Sequence, residues 1–135
     1  MSRRSAREAV FKLVFEYLFY GEKNETTLEI LKTDGSLTAD DKAYIDRIYN
    51  GVTDNFSELK SMVAKYAVGY DADRIYKPDL TALVIAAYEL KYETEIPPAV
   101  VAASAVELVK RYSDEKSFSF VNGILSTLIK ETNRG

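Results

Sequence analysis

Residues 6–18, Ala6-Arg7-Glu8-Ala9-Val10-Phe11-Lys12-Leu13-Val14-Phe15-Glu16-Tyr17-Leu18, decide the fold class. Within them Ala6, Val10, Leu13, Val14, Tyr17 and Leu18 recur at i, i+4, i+7, i+8, i+11 and i+12, which lines them along one side of an α-helix. Gly21 follows as a stop, because a residue without Cβ closes a helix in the left-handed region at little cost. The same period continues outward. A short second helix is expected from Thr26 to Lys32, ending near Asp34-Gly35. Thr38 caps a third, with Asp41 in reach to complete a capping box and Tyr44, Ile45, Ile48, Tyr49 and Val52 facing inward. Gly51 interrupts that helix at a cost of about 1 kcal/mol relative to Ala, unless a neighbouring backbone needs the space. Phe56, Leu59, Met62, Val63 and Tyr66 carry the pattern as far as Gly69.

The stretch Asp71-Ala-Asp-Arg-Ile-Tyr-Lys-Pro78 reads as a hinge, and Pro78 suits the first turn of the next helix. Leu80, Leu83, Val84, Ala87 and Leu90 then form a strong stripe. Pro97-Pro98 breaks that helix and opens another, with Val101, Ala105, Leu108 and Tyr112 on one side. A linker, Ser113 to Lys116, leads to a last helix whose inward residues are Val121, Ile124, Leu125 and Leu128. No strand alternation persists and no fixed repeat appears. The expectation is an all-α fold, with one domain over 1–135 forming a compact bundle of about six to seven helices. It divides into two packed halves, 1–70 and 78–135, about a hinge near 71–77.

Composition narrows the chemistry. The chain has 135 residues, 47% of them hydrophobic and 29% charged, an ordinary globular balance. It contains no Cys and no His, which removes thiol nucleophiles, Ser-His relays and Cys/His zinc sites. No glycine-rich phosphate loop is present. The chain therefore reads as a non-enzyme without cofactor or metal; a carboxylate-only active site is a distant third reading. Apolar runs are far shorter than the roughly 20 residues a membrane span needs, and no signal-peptide core can be drawn, so the expected location is the cytoplasm. Arg3, Arg4, Arg7 and Lys12 against Glu8 alone give residues 1–12 a net +3, leaving −6 on the rest of a chain whose total is −3. A basic end on an acidic body suggests a local anion site, although a charged, frayed terminus would look the same.

Four segments together resemble the NusB family. Arg3-Arg4-Ser-Ala-Arg7-Glu8, followed by an aromatic-rich helix, looks like its arginine-rich opening motif. Asp79-Leu-Thr-Ala-Leu-Val-Ile-Ala-Ala-Tyr88-Glu89-Leu90 is similar to its central helix. Ile96-Pro97 with Ala105-Val-Glu-Leu-Val-Lys110 resembles the next, and Phe120-Val-Asn-Gly-Ile-Leu125 its final-helix signature. Two positions depart from the pattern: Ala103-Ser104 stand where the family usually has Asn-Glu, and Val84 where it usually has arginine. The resemblance implies a bacterial transcription antitermination factor. Such a protein pairs with the small-subunit ribosomal protein NusE, binds a short single-stranded element of ribosomal-RNA leader transcripts, and acts within the RNA polymerase antitermination complex. The rival readings are a protein-interaction bundle or homodimer without RNA binding, and a divergent NusB-like paralogue. A NusB-like domain of an RNA cytosine methyltransferase is excluded by the length and the missing cysteines.

At about 100° per residue, Arg3, Arg4, Arg7, Phe11 and Phe15 fall within one arc of about 120° beside the core stripe. Arginines neutralise phosphates and aromatic rings stack on unpaired bases. Phe11 suits a second packing face better, whereas Phe15 suits either role. The arginines lie at or beyond the end of the apolar stripe, so folding is expected to depend little on them. Tyr112, Phe118 and Phe120 bracket the last linker with Lys116 between them. By the resemblance, Tyr112 and Phe120 fall at RNA-contacting positions, while Phe118 reads as packing and Lys116 as a phosphate partner or a plain surface lysine. The RNA-binding candidates are thus Arg3, Arg4, Arg7, Phe15, Tyr112, Lys116 and Phe120. Asp73 and Asp79 flank the hinge and are the partner-binding candidates; Asp79 matches an acidic family position, though an Asp in a first turn also serves the helix dipole. Asn122-Gly123 reads as structural, Gly123 marking a close helix–helix approach.

Overall fold

Pro78 enters a helix without losing a hydrogen bond, and behind it comes a run apolar on every side. A helix of that kind has to be surrounded. In the computed structural model, which describes residues 2–69 and 71–134, this helix is the axis of the protein. The order is α1 (Ser2–Tyr20), α2 (Glu25–Leu31), α3 (Ala39–Asp54), α4 (Phe56–Tyr66), a single 3-10 turn (Ala72–Arg74), α5 (Lys77–Tyr92), α6 (Pro98–Tyr112) and α7 (Ser117–Glu131). Seven α-helices and no strand occur among the described residues, so the all-α expectation holds. Every residue from Pro78 to Leu90 is buried, and α5 packs against α1, α3, α4, α6 and α7.

Local chemistry sets the helix ends. Gly21 takes φ +72° and its amide bonds to the Tyr17 carbonyl at 2.8 Å, ending α1 as expected. Asn24 caps α2 by accepting from the Thr27 amide, so the helix starts at Glu25, one residue before the expected Thr26. The capping box of α3 is complete: Thr38 Oγ1 accepts from the Asp41 amide and Asp41 Oδ2 from the Thr38 amide, each at 3.0 Å. Near the C-terminus, the Arg134 guanidinium donates to the carbonyls of Leu90, Thr94 and Ile96, tying the end of α7 to the α5–α6 turn.

Two tertiary findings differ from the sequence expectations. First, α4 precedes the expected hinge but packs chiefly on α5 and α7, beyond it. Second, a Cβ at Gly123 would meet nothing within 4 Å, so no helix presses on that glycine. The close approach is at Gly51 instead, where a Cβ would run into the ring of Tyr88; a side chain, not a backbone, occupies the space. Val84, read as part of the inward stripe of α5, is fully buried there, an interior site where an apolar side chain needs no partner, while Ala103 is exposed on α6.

Candidate nucleic-acid interface

Successive residues of a helix point about 100° apart, so the arginines of α1 meet different neighbours. Arg3 lies against the start of α3. Its Nε donates to Asp41 Oδ1 at 3.0 Å and its Nη2 to Asp40 Oδ2 at 2.6 Å, and its guanidinium carbon sits 4.3 Å from the Tyr44 ring centre. Arg7 is half-buried, 5.8 Å from the same ring, with its Nε inside the protein and without a hydrogen-bond partner among the described residues. Arg4 alone is mostly in solvent, its side chain 60% exposed, with Nε 2.5 Å from Glu107 Oε1 on α6. The expectation that all three arginines stand clear of the fold is therefore corrected. Arg3 and Arg7 lie where α1 crosses α3, and the capping carboxylate Asp41 is already there to receive Arg3.

Aromatic rings form a continuous row on the other flank of α1. Tyr112 of α6 stacks on Phe11 with centroids 4.7 Å apart and planes 15° apart. Phe11 stacks on Phe15 at 6.1 Å, and Phe15 meets Phe19 edge-on at 5.0 Å. Exposure grows along the row: Phe11 is buried, Phe15 half-buried and Phe19 55% exposed. Phe11 thus takes the packing role, and Phe15 has only part of its ring in solvent. Tyr112 has one face on Phe11 and its hydroxyl donates to Glu8 Oε1 at 3.3 Å; burial pushes that phenol up from its ordinary pKa. Arg111, also paired with Glu8, lies 5.7 Å from the Tyr112 ring. Phe118, which read as packing, is half-buried beneath Lys110 Nζ.

Beyond Phe19 the row meets the start of α5. Lys77 Nζ lies 5.5 Å from the Phe19 ring, and the adjoining Tyr76 is 59% exposed. Tyr76 then lines a surface hollow of about 210 Å³ with Arg74, Asp79, Lys116 and Phe120. This hollow joins residues that sequence reasoning assigned to different partners. Asp79 is 3% exposed, and its Oδ1 accepts from the Ser113 hydroxyl at 2.6 Å, tying α5 to the α6–α7 linker. Asp73 is the exposed acid, paired with Lys60 Nζ at 3.0 Å. The backbone amide of Lys116 donates to Asp114, leaving its side chain over the hollow.

Sequence reasoning missed Phe19, Arg74, Tyr76, Lys77 and Arg111. Phe19 had a signal, since it continues Phe11 and Phe15 at i+4. Tyr76 and Lys77 had none, because only folding brings the start of α5 beside the end of α1. Aromatic faces flanked by Lys and Arg are suited to holding a nucleic-acid strand through stacking and phosphate contacts.

The NusB family model matches residues 4–130. The transcription antitermination protein NusB of Clostridium acetobutylicum is 37% identical over 132 residues, spanning 98% of each chain. A solved NusB from T. maritima superposes with a TM-score of 0.85 at 33% identity, over 97% of this chain and 92% of that one. A chain in a crystal structure of the antitermination factors NusB and NusE in complex with dsRNA superposes with a TM-score of 0.84 at 26% identity, over 96% and 97%. The chain belongs to the NusB family.

Proposed function

We propose that this chain is a transcription antitermination factor that binds an element of ribosomal-RNA leader transcripts together with the ribosomal protein NusE, so that RNA polymerase reads past terminators. The observation that carries the reading is the aromatic row from Tyr112 to Phe19, running into a hollow lined by Arg74, Lys116 and Phe120. A structural relative with NusE and dsRNA supports the same pair of partners. The reading assigns the chain no catalytic step.

Roles follow from exposure. Arg4 and Lys116 contact phosphates, while Phe15 and Phe120 offer ring surface to bases, with Tyr112 adjoining. Arg3 and Arg7 shape the site rather than touch phosphate. Asp73 faces the protein partner, and Asp79 acts through the linker it holds. Exposed rings favour unpaired bases, so single-stranded RNA should bind better than a duplex of the same sequence.

Titration of single-stranded RNA, duplex RNA and NusE, alone and together, tests the proposal. Linkage requires RNA to tighten NusE binding by the same factor as NusE tightens RNA binding, typically about 5–150-fold. Failure of the chain to bind either RNA form, with or without NusE, would overturn the reading.

A further inference from the structure

Glu89 is a carboxylate in the centre of the protein, 2% exposed, on the helix beneath α1. Its Oε2 accepts from the Tyr44 hydroxyl at 2.5 Å, joining α5 to α3. Three arginines gather over the Tyr44 ring, with guanidinium carbons 4.3 Å (Arg3), 5.7 Å (Arg47) and 5.8 Å (Arg7) from its centre. Arg7, Tyr44, Glu89 and Ser104 line one small internal cavity where α1, α3, α5 and α6 meet. Burial raises the Glu89 carboxyl above its ordinary pKa, opposed by the Tyr44 hydrogen bond and by the charge of Arg7. An apolar side chain of similar size would fill such a site without the desolvation cost. What the carboxylate adds is direction: a hydrogen bond and an ion attraction hold a ring and a guanidinium in one arrangement.

That arrangement bears on the exposed arginine. The first turn of a helix has amides with no partner inside the helix and frays unless something fastens it. Here Asp41 holds Arg3 from the side, and the Glu89–Tyr44 pair forms the floor on which Arg3 and Arg7 rest. Arg4 lies between these two fastened residues and, among the described residues, is paired only at the surface, with Glu107. We propose that Glu89 is a positioning residue for RNA binding: acting through Tyr44 and Arg7, it orders the first two turns of α1 and so fixes the direction in which Arg4 points, without itself touching RNA. The inference rests on the RNA reading above.

Two measurements on Glu89→Gln and Tyr44→Phe test it, both made on the full chain after confirming a cooperative thermal transition. Hydrogen exchange of the free protein should show faster exchange in residues 3–8 of each variant, with the rest of the core protected as in wild type. Affinity for a labelled single-stranded RNA oligonucleotide should fall about fivefold, the scale of one net hydrogen bond. The slope of log K against log salt should stay unchanged, because no phosphate contact is removed. The double variant should be little worse than either single one, as expected of residues acting through one connection. Wild-type exchange in residues 3–8 of a folded Glu89→Gln chain overturns the proposal, as does RNA affinity within about twofold of wild type for both variants, well below the effect of one net hydrogen bond. If Glu89→Gln does not fold, Tyr44→Phe, which keeps the ring and its packing, decides alone. An Arg4→Ala chain with unaltered affinity and salt slope would instead sink the RNA reading, and the exchange result would still judge Glu89.

Discussion

Replacing Arg3 and Arg4 separately by alanine should produce opposite signatures, although the two residues are adjacent and carry the same charge. Arg3→Ala removes two hydrogen bonds to carboxylates, one of them to the buried Asp41. It also removes a cation over the Tyr44 ring. Hydrogen bonds to charged groups contribute about 1.5–3 kcal/mol in favourable settings. The Arg3 side chain is 33% exposed, so solvent screening favours the lower end, about 1.5–2 kcal/mol. Arg4→Ala removes one surface ion pair and should change stability by no more than about 0.5 kcal/mol. RNA binding should reverse the order. Each phosphate contact to a single strand contributes about 0.7 to the salt slope; Arg4→Ala should flatten it by that amount and Arg3→Ala should leave it nearly unchanged. Urea denaturation followed by circular dichroism gives the first quantity. Fluorescence anisotropy with labelled RNA across a salt series gives the second. An Arg3→Ala chain as stable as wild type, with a slope flattened like that of Arg4→Ala, would refute the division of roles.

Tyr112→Ala should lose roughly half of the ~3–5 kcal/mol typical of a fully buried aromatic, because one face already rests on Phe11; Phe120→Ala should weaken RNA binding by about 1–3 kcal/mol of stacking. Thermal melts beside RNA titrations separate the two. Gly51→Ala should destabilise by about 1–3 kcal/mol through overpacking against Tyr88, and adding Tyr88→Leu should recover part of the loss in a denaturant titration. In acid, hydrogen bonds from Ser2, from the Thr38 amide and from Arg3 hold the Asp41 carboxyl well below the usual carboxylate range. Its contribution is therefore present above about pH 4, the unfolded value, and is lost as pH falls. Glu89, raised by burial, has the opposite sign: its contribution is present below the usual glutamate value and is lost as pH rises through the folded one. Asp41→Asn should thus flatten the acid limb of the stability–pH curve, and Glu89→Gln should remove a decline above it; matching curves for both variants and wild type would contradict these assignments.

The sequence determined the helices and their ends, because those depend on neighbours a few residues away. Thr38 and Asp41 form a box wherever the chain continues as a helix, Gly21 and Pro78 act through their own backbone preferences, and the apolar period names Tyr44, Ile48 and Leu83 as interior. The basic start and the aromatic content of α1 were visible in the same way. Sequence could not decide which arginine is left mostly in solvent, since that depends on what lies across from α1. Asp41 is 38 residues from Arg3, and Glu89 reaches Tyr44 across 45. The site behaves likewise. Arg74 and Tyr76 read as hinge residues until α5 sets them beside Lys116 and Phe120. Asp79 read as a partner-binding acid or a helix-dipole residue, whereas in the fold its carboxylate accepts from the Ser113 hydroxyl. Gly51 and Gly123 make the contrast plainest. Each is a glycine within a helix, and only the packing of Tyr88 gives the first a steric reason that the second lacks. Local preference is written in adjacent residues, whereas the partner of an exposed or buried polar group is chosen by how whole helices cross.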